Sequence, residues 1–444
     1  MKANKYVIFC AYTASLGGLL FGFDTAVISG AEKTIQQLFN LDGFWHGFTV
    51  AIALIGTLFG ALISGKPADF FGRKKALLII AVIYTTSAIG SALTQSWTGF
   101  LIYRFIGGLG VGASSVIGPM YIAEIAPAHL RGRLVTAFQL NIVAGILLSY
   151  LSNYWIAQII THDAWRWMLG VISIPSIIFF GLIFFIPDSP RWLVLKGKKE
   201  EAKSVLQKIR SKNPLKEVLE IEASITKEDG VNRENLFSSM YRMPIFLAIL
   251  VALFNQLSGI NAVMYYAPRI FEMVGYGQNS ALLQSLSVGV TLFVFTLLGM
   301  FLVDRVGRKK LLLVGAVGMV IFLGMVAKTV FKSTADGSIW MLVYLSGFIA
   351  FFSFSQGTVI WVFISEIFPN SVRAKGQTLG SFTHWSAAVV ISWVFPSISE
   401  SGGGGWAFIF FSVAMVLQFF IVWKFFPETK GKTLEQIQTE MIKQ

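Results

Sequence analysis

The chain has 444 residues, of which 55% are hydrophobic, 13% are charged and one, Cys10, is cysteine; its mean hydropathy is +0.67. A soluble domain carries about 25% charged residues, so this composition excludes an ordinary soluble fold and describes a chain dissolved in lipid. The formal net charge of +13 is not a nucleic-acid footprint, because the basic residues are spread through short loops rather than gathered into a stripe. A single cysteine allows no intramolecular disulfide.

The first apolar run, 6–29, is too long for a signal peptide and lacks a small-residue cleavage site after it, so it reads as a first membrane helix. Further runs follow at 46–65, 76–94, 98–122, 134–158 and 167–187, and a second set at 244–271, 281–303, 311–331, 338–364, 376–398 and 406–426. Each approaches the length that crosses a hydrocarbon core of roughly 30 Å as a helix. Between the sets lies the polar stretch 188–242. Within it, Lys196–Arg210 places Ala202, Leu206 and Ile209 on one helical face, and Pro214–Glu228 does the same for Leu215, Val218 and Leu219. Two short amphipathic surface helices are expected there. The expected divisions are a six-helix bundle over 1–187, a helical linker over 188–242, a second bundle over 243–427 and a short tail over 428–444.

Lys and Arg sort the loops. One set carries Arg73, Lys74 and Lys75, then Arg131 and Arg133, then Arg305, Arg308, Lys309 and Lys310, then Arg373 and Lys375; the opposite loops near 95–97, 273–280 and 399–405 have none. The basic loops and the linker therefore face the cytoplasm, and an even number of crossings puts both termini there too.

The two sets of spans repeat. DFFGRKK (Asp69 to Lys75) recurs as DRVGRKK (Asp304 to Lys310), EIAPAHLR (Glu124 to Arg131) as EIFPNSVR (Glu366 to Arg373), and PDSP (Pro187 to Pro190) is echoed by PETK (Pro427 to Lys430). Parallel repeats of this kind imply a pseudo-twofold axis along the membrane normal, with a solute site near the midplane. The duplicated charges Arg73, Glu124, Arg131, Arg308, Glu366 and Arg373 sit at cytoplasmic helix ends, where they link neighbouring helices either as a gate that forms in one state or as a fixed staple.

The seventh run is the most polar inside. FNQLSGINAVMYYAP (Phe254 to Pro268) carries Asn255, Gln256, Ser258 and Asn261, then Tyr265 and Tyr266. Unpaired amides are costly in lipid, so these groups face protein, water or a polar solute. On a straight helix Asn255 and Asn261 point to different sides; Gly259 and Pro268 supply a reason to break it and let them converge. Uncharged donors and acceptors with aromatic rings are what a polyhydroxyl ligand requires.

These pieces together resemble the sugar porter family of the major facilitator superfamily. The resemblance rests on DFFGRKK, RFIGGLGVG, PMYIAEIAPAHLRGR, PDSPRWL, NQLSGINAVMYY, DRVGRKK, WVFISEIFPNSVRAKG and PETKGKTLEQ, which run through nearly the whole chain in family order. It implies an all-α membrane protein with twelve transmembrane helices in two bundles and a cytoplasmic helical linker, carrying a pentose or hexose by alternating access. It also implies sugar contacts at Gln139, Gln256, Asn261, the Tyr265–Tyr266 pair and Trp361. Three departures stand out. Asn255 replaces the usual first Gln of the Gln-Gln pair, Leu292 falls where the eighth span usually carries an Asn, and His384 precedes Trp385 where an amide is usual. Asn255 and His384 therefore join the candidate sugar-binding set, and the departures bear on which sugar is taken.

Asp24 lies midway in the first span, where a carboxylate costs at least ~2.5–3.5 kcal/mol, and Arg104 in the fourth span is the obvious cation to pair with it. Proton-coupled members of the family resemble this chain in having an acid at that place, so Asp24 and Arg104 are the candidate proton-coupling pair; a permanent structural ion pair is the alternative. The string Gly108, Gly110, Ala113 fits a loose dinucleotide fingerprint but lies in a membrane span without a preceding strand. Gly56–Gly60 and Gly108–Gly112 read as close helix packing instead. The expectation is a non-enzymatic monosaccharide symporter of a bacterial inner membrane, working as a monomer with no cofactor and the proton as co-substrate. A facilitative uniporter and a sugar sensor are the alternatives.

Overall fold

The computed structural model describes residues 5–209, 213–230, 235–332, 339–369, 371–432 and 436–437. The two ends of the chain, most of the expected tail and parts of the linker lie outside them. In order the helices are α1 (Lys5–Leu38), α2 (Gly43–Ile63), α3 (Gly65–Phe71), α4 (Arg73–Leu93), α5 (Trp97–Ile125), α6 (Ala128–Ile159), α7 (Ala164–Gly170) and α8 (Ser173–Ile183). The linker holds α9 (Pro190–Leu195), α10 (Lys199–Lys208) and α11 (Pro214–Gly230). Then come α12 (Arg242–Leu257), α13 (Ile260–Glu272), α14 (Gln278–Val306), α15 (Arg308–Lys332), α16 (Ile339–Phe354), α17 (Gln356–Ile367), α18 (Arg373–Ile398) and α19 (Gly404–Phe425).

Eleven stretches among the described residues are long and apolar enough to cross a membrane. The last, Arg373–Phe425, has 53 residues, which at 1.5 Å per residue is about 80 Å and more than twice what one crossing needs. It is two crossings joined by a π-helical turn at Ser399–Gly403, where Gly402 takes φ +79°, and the total is twelve.

By compactness the chain forms two units. One contains the described residues of Met1–Thr25, Ile55–Ile146 and Arg166–Asn232; the other those of Ala26–Leu54, Leu147–Trp165 and Arg233–Gln444. The second unit therefore includes the ends of α1 and α6 and the start of α2 together with the later helices.

Two spans are broken where the sequence carries polar residues. α12 stops at Leu257, and Gly259 turns the chain with φ +82° before α13 begins. A Cβ on Gly259 would stand 2.3 Å from the Phe411 ring, so both backbone sign and close packing require glycine. Ser258 knits the break locally: its hydroxyl donates to Asn255 O at 2.7 Å and accepts from Ile260 N at 3.3 Å. A second break, at Ser355, separates α16 from α17.

Prolines inside helices free carbonyls four residues earlier, and lipid-buried carbonyls need donors. Two tyrosines supply them. Pro268 leaves Met264 O, which accepts from Tyr150 OH at 2.7 Å; Pro396 leaves Ser392 O, which accepts from Tyr266 OH at 2.9 Å.

In the linker, α10 buries Ala202, Val205 and Leu206, with Ile209 buried just beyond. α11 differs from the amphipathic expectation. Val218 is buried, but Leu215 and Leu219 are 57% and 56% exposed; Val218 with the half-buried Ile221 and Ile225 makes the inward face, and the Lys199–Glu222 ion pair at 2.6 Å links α11 to α10.

Candidate functional site

The break at Gly259 brings the seventh-span amides together. Asn261 Nδ2 donates to Gln256 Oε1 at 2.8 Å, and Gln256 Nε2 donates to Asn255 Oδ1 at 3.1 Å. The same nitrogen stands 3.2 and 3.3 Å from the two ring nitrogens of His384 on α18. All four side chains are buried, and Asn255 Nδ2 has no partner among the described residues. An amide donor left open in a buried polar cluster is a group that a hydroxyl can satisfy. His384 is bracketed by indoles, with Trp361 on α17 at 5.0 Å and Trp385 at 4.9 Å between ring centroids. Trp361 is 36% exposed, so it presents an accessible apolar face beside the amides, the combination that suits a sugar ring.

The remaining candidates are placed differently. Tyr265 is buried. Tyr266 is fully buried, packs on Phe395 at 5.4 Å, and gives its hydroxyl proton to Ser392 O. Its role in this structure is to tie α13 to α18, which the sequence, reading it as a ligand contact, did not anticipate. Gln139 lies half-buried on α6, in the first unit. Leu292 is a buried apolar side chain.

Asp24 and Arg104 form the expected pair. Arg104 Nη1 donates to Asp24 Oδ1 at 2.7 Å and Nη2 reaches Asp24 O at 3.4 Å, with both residues almost fully buried. Gly107 lets α5 approach here: a Cβ on it would meet Ser87 Oγ at 2.3 Å and Asp24 Oδ1 at 3.8 Å.

The sequence repeat is also a geometric repeat. In the first unit Arg73 contacts Asp69 at 2.9 Å and Glu124 at 2.9 Å and donates to Ala68 O at 3.2 Å. In the second, Arg308 contacts Asp304 at 3.1 Å and Glu366 at 2.8 Å and donates to Val303 O at 3.1 Å. The acids of PDSP and PETK complete each copy at a helix N-terminus, where an anion is favoured. Asp188 accepts from Lys74 N at 3.4 Å, while Glu428 accepts from Arg308 N at 2.8 Å and Lys309 N at 3.2 Å. Among the described residues Arg131 and Arg373 make no ion pair with these clusters: Arg131 is exposed, and Arg373 Nε donates to Phe368 O at 3.4 Å.

One buried polar cluster was not singled out from the sequence. Glu32 near the end of α1 faces His46 of α2, Nε2 to Oε2 2.6 Å, and Arg269 of α13, Nη2 to Oε2 3.0 Å and Nε to Oε1 3.2 Å. Glu32 and His46 are 1% and 0% exposed. Arg269 also contacts Gln36 and, at 3.5 Å, Glu400. Each of the three sits at or near the rim of its apolar run, where charged flanks are ordinary, so only the fold reveals the cluster.

Twelve crossings, a repeated half and a buried amide cluster define a membrane transporter. Residues 10–441 match the family described as sugar (and other) transporter, and the chain belongs to that family. It is 40% identical over 444 residues to the arabinose-proton symporter of Bacillus subtilis, covering 99% of this chain and 96% of that one. It is 38% identical over 474 residues to the D-xylose-proton symporter of Escherichia coli, covering 98% and 96%. Among solved structures, the xylose transporter XylE from E. coli in its inward-open conformation aligns with TM-score 0.88 at 36% identity, over 98% of this chain and 100% of that one. XylE bound to 6-bromo-6-deoxy-D-glucose aligns with TM-score 0.78 at 37% identity, over 99% and 100%. The expected major facilitator architecture therefore holds, and the chain is an integral membrane transporter rather than an enzyme.

Proposed function

We propose that this protein carries a monosaccharide, a pentose or hexose, into a bacterial cell together with a proton, by alternating access between its two six-helix halves. The observation that carries the proton half of the reading is the buried Asp24–Arg104 pair at 2.7 Å. Protonating the carboxyl removes the charge that holds Arg104, so proton binding and the geometry of α1 against α5 are linked. The sugar half rests on the Asn255–Gln256–Asn261–His384 cluster beside Trp361. The relatives named as arabinose-proton and D-xylose-proton symporters support the same reading. The Arg73–Glu124 and Arg308–Glu366 clusters act as the cytoplasmic gate, the protein works as a monomer without a cofactor, and both termini face the cytoplasm of an inner membrane.

One proton entering across ~100 mV gains about 2.3 kcal/mol, enough for roughly 50-fold accumulation at ~1.4 kcal/mol per tenfold. Asp24→Asn mimics the neutral acid. It is expected to exchange labelled sugar across the membrane while failing to concentrate it in energised vesicles. Accumulation at the wild-type level in that variant makes the pair a structural one and removes Asp24 from coupling.

A further inference from the structure

Around Asp24 the first unit holds buried hydroxyls that packing does not explain. On α5, Gly107 faces Asp24 and Gly110, one turn on, faces the ring of Tyr84 from α4: a Cβ would reach Asp24 Oδ1 and Tyr84 Cδ1 at 3.8 Å each, and Ser114 follows one turn beyond Gly110. Tyr84 and Ser114 are 1% and 0% exposed. Neither Tyr84 OH, Ser114 Oγ nor Arg104 Nε completes a hydrogen bond among the described residues. A buried polar atom without a partner is destabilising, and three such atoms on the helices that pack with Asp24 call for a functional account.

The polar groups continue along α1 toward its start. Ser114 Oγ stands where a Cβ on Gly17 would meet it at 2.6 Å. At ~100° per residue, Asp24, Gly17, Thr13, Cys10 and Tyr6 fall within about 60° of one another on one side of α1. Thr13 is fully buried with its hydroxyl unpartnered among the described residues. Cys10 is fully buried between Tyr6 and Tyr121, and Tyr121 OH donates to Pro187 O at 2.9 Å at the entrance to the linker. Every one of these residues belongs to the first compact unit.

We propose that Tyr84, Ser114 and Thr13 form an internal proton relay that connects Asp24, through the Cys10–Tyr121 contact, with the basic-loop face of the membrane, separate from the amide cluster that takes the sugar. The relay rests on the assignment of Asp24 as the coupling acid. As a proton leaves Asp24, a bridging water passes one to the Tyr84 oxygen, and Tyr84 gives its own hydroxyl proton to the next water on the way to Ser114 Oγ. Each later hydroxyl, and each water bridging two of them, loses one O–H bond as it gains one. The last proton passes to bulk water, so every relay group ends as it began and Asp24 is left ionised against Arg104. Hydroxyls suit this role because each donates and accepts at once, and buried waters bridge polar groups of this kind.

The test uses the full chain reconstituted in vesicles, with labelled D-xylose as the probe, or L-arabinose if xylose is not taken up. Tyr84→Phe, Ser114→Ala and Thr13→Val keep the packing and remove one hydroxyl each; Thr13→Ser keeps the hydroxyl. The three deletions are expected to slow uptake driven by a pH gradient at least tenfold and to leave labelled-sugar exchange within twofold, whereas Thr13→Ser retains the driven rate. Slowing in deuterated water should exceed the wild-type effect in whichever deletion retains measurable driven uptake. Wild-type driven uptake in all three deletions overturns the relay and leaves the symport reading standing, and so does a parallel loss of driven uptake and exchange, which marks a structural role. A wild-type protein that shows no response to the pH gradient overturns the symport reading itself, and the relay with it.

Discussion

Asn261 gives a hydrogen bond to Gln256 at 2.8 Å although the two residues belong to different helices, α13 and α12, separated by a left-handed turn. Gln256 is thereby the hub of the cluster, bonded on its carbonyl side to Asn261 and on its amide side to Asn255 and His384. Replacing it by alanine strands three buried polar side chains. Gln256→Ala is expected to weaken equilibrium binding of D-xylose or L-arabinose by roughly 1–3 kcal/mol, measured by calorimetry on the purified protein. Trp361→Ala is expected to weaken it comparably through loss of the exposed indole face. His384→Gln restores an amide at that place and should change the ranking of sugars more than the yield of folded protein. Normal affinity in both Gln256→Ala and Trp361→Ala moves the sugar site elsewhere.

The turn that makes the cluster is itself testable. Gly259→Ala forces a side chain into φ +82° and against the Phe411 ring. The backbone term is about 1–2 kcal/mol, and overpacking adds about 1–3 kcal/mol. A lowered thermal midpoint in detergent is expected, and the loss caused by Gly259→Ala should be smaller in a Phe411→Leu background than in the wild type. Equal losses in the two backgrounds would show that the ring contact does not matter.

The Glu32–His46–Arg269 cluster gives a third expectation. Removing one member of a buried pair leaves the other charge uncompensated, a loss of about 3–5 kcal/mol, whereas removing both together is far milder. Glu32→Gln and Arg269→Met should each lower the thermal midpoint, and the double substitution should lie above either single one. Additive losses would mean that the two side chains do not act as a pair.

Much of this was legible beforehand. The twelve crossings follow from run length, the break in the seventh span from Gly259, and the Asp24–Arg104 pair from the rarity of charge at midspan. The repeated motifs point to the paired Arg73–Glu124 and Arg308–Glu366 contacts but not to the bond from Arg373 to Phe368 O, which depends on how α18 starts. Tyr266 bonds a proline-freed carbonyl, and in sequence such a tyrosine looks the same as one that meets a ligand. Its partner Ser392 lies 126 residues away. Glu32 and Arg269, 237 residues apart, were illegible for the same reason: each looks like an ordinary flank until the helices are assembled.

If sugar and proton move together, sugar entry alone drives protons out of the external medium. Wild-type protein in de-energised vesicles, suspended in a weakly buffered medium, is given an inward gradient of D-xylose or L-arabinose while external pH is recorded. Coupled entry gives prompt alkalinisation of the medium that depends on the sugar, disappears with a protonophore and is absent in Asp24→Asn. Sugar entry at an undiminished rate with no accompanying pH change would contradict it and make the protein a facilitative uniporter.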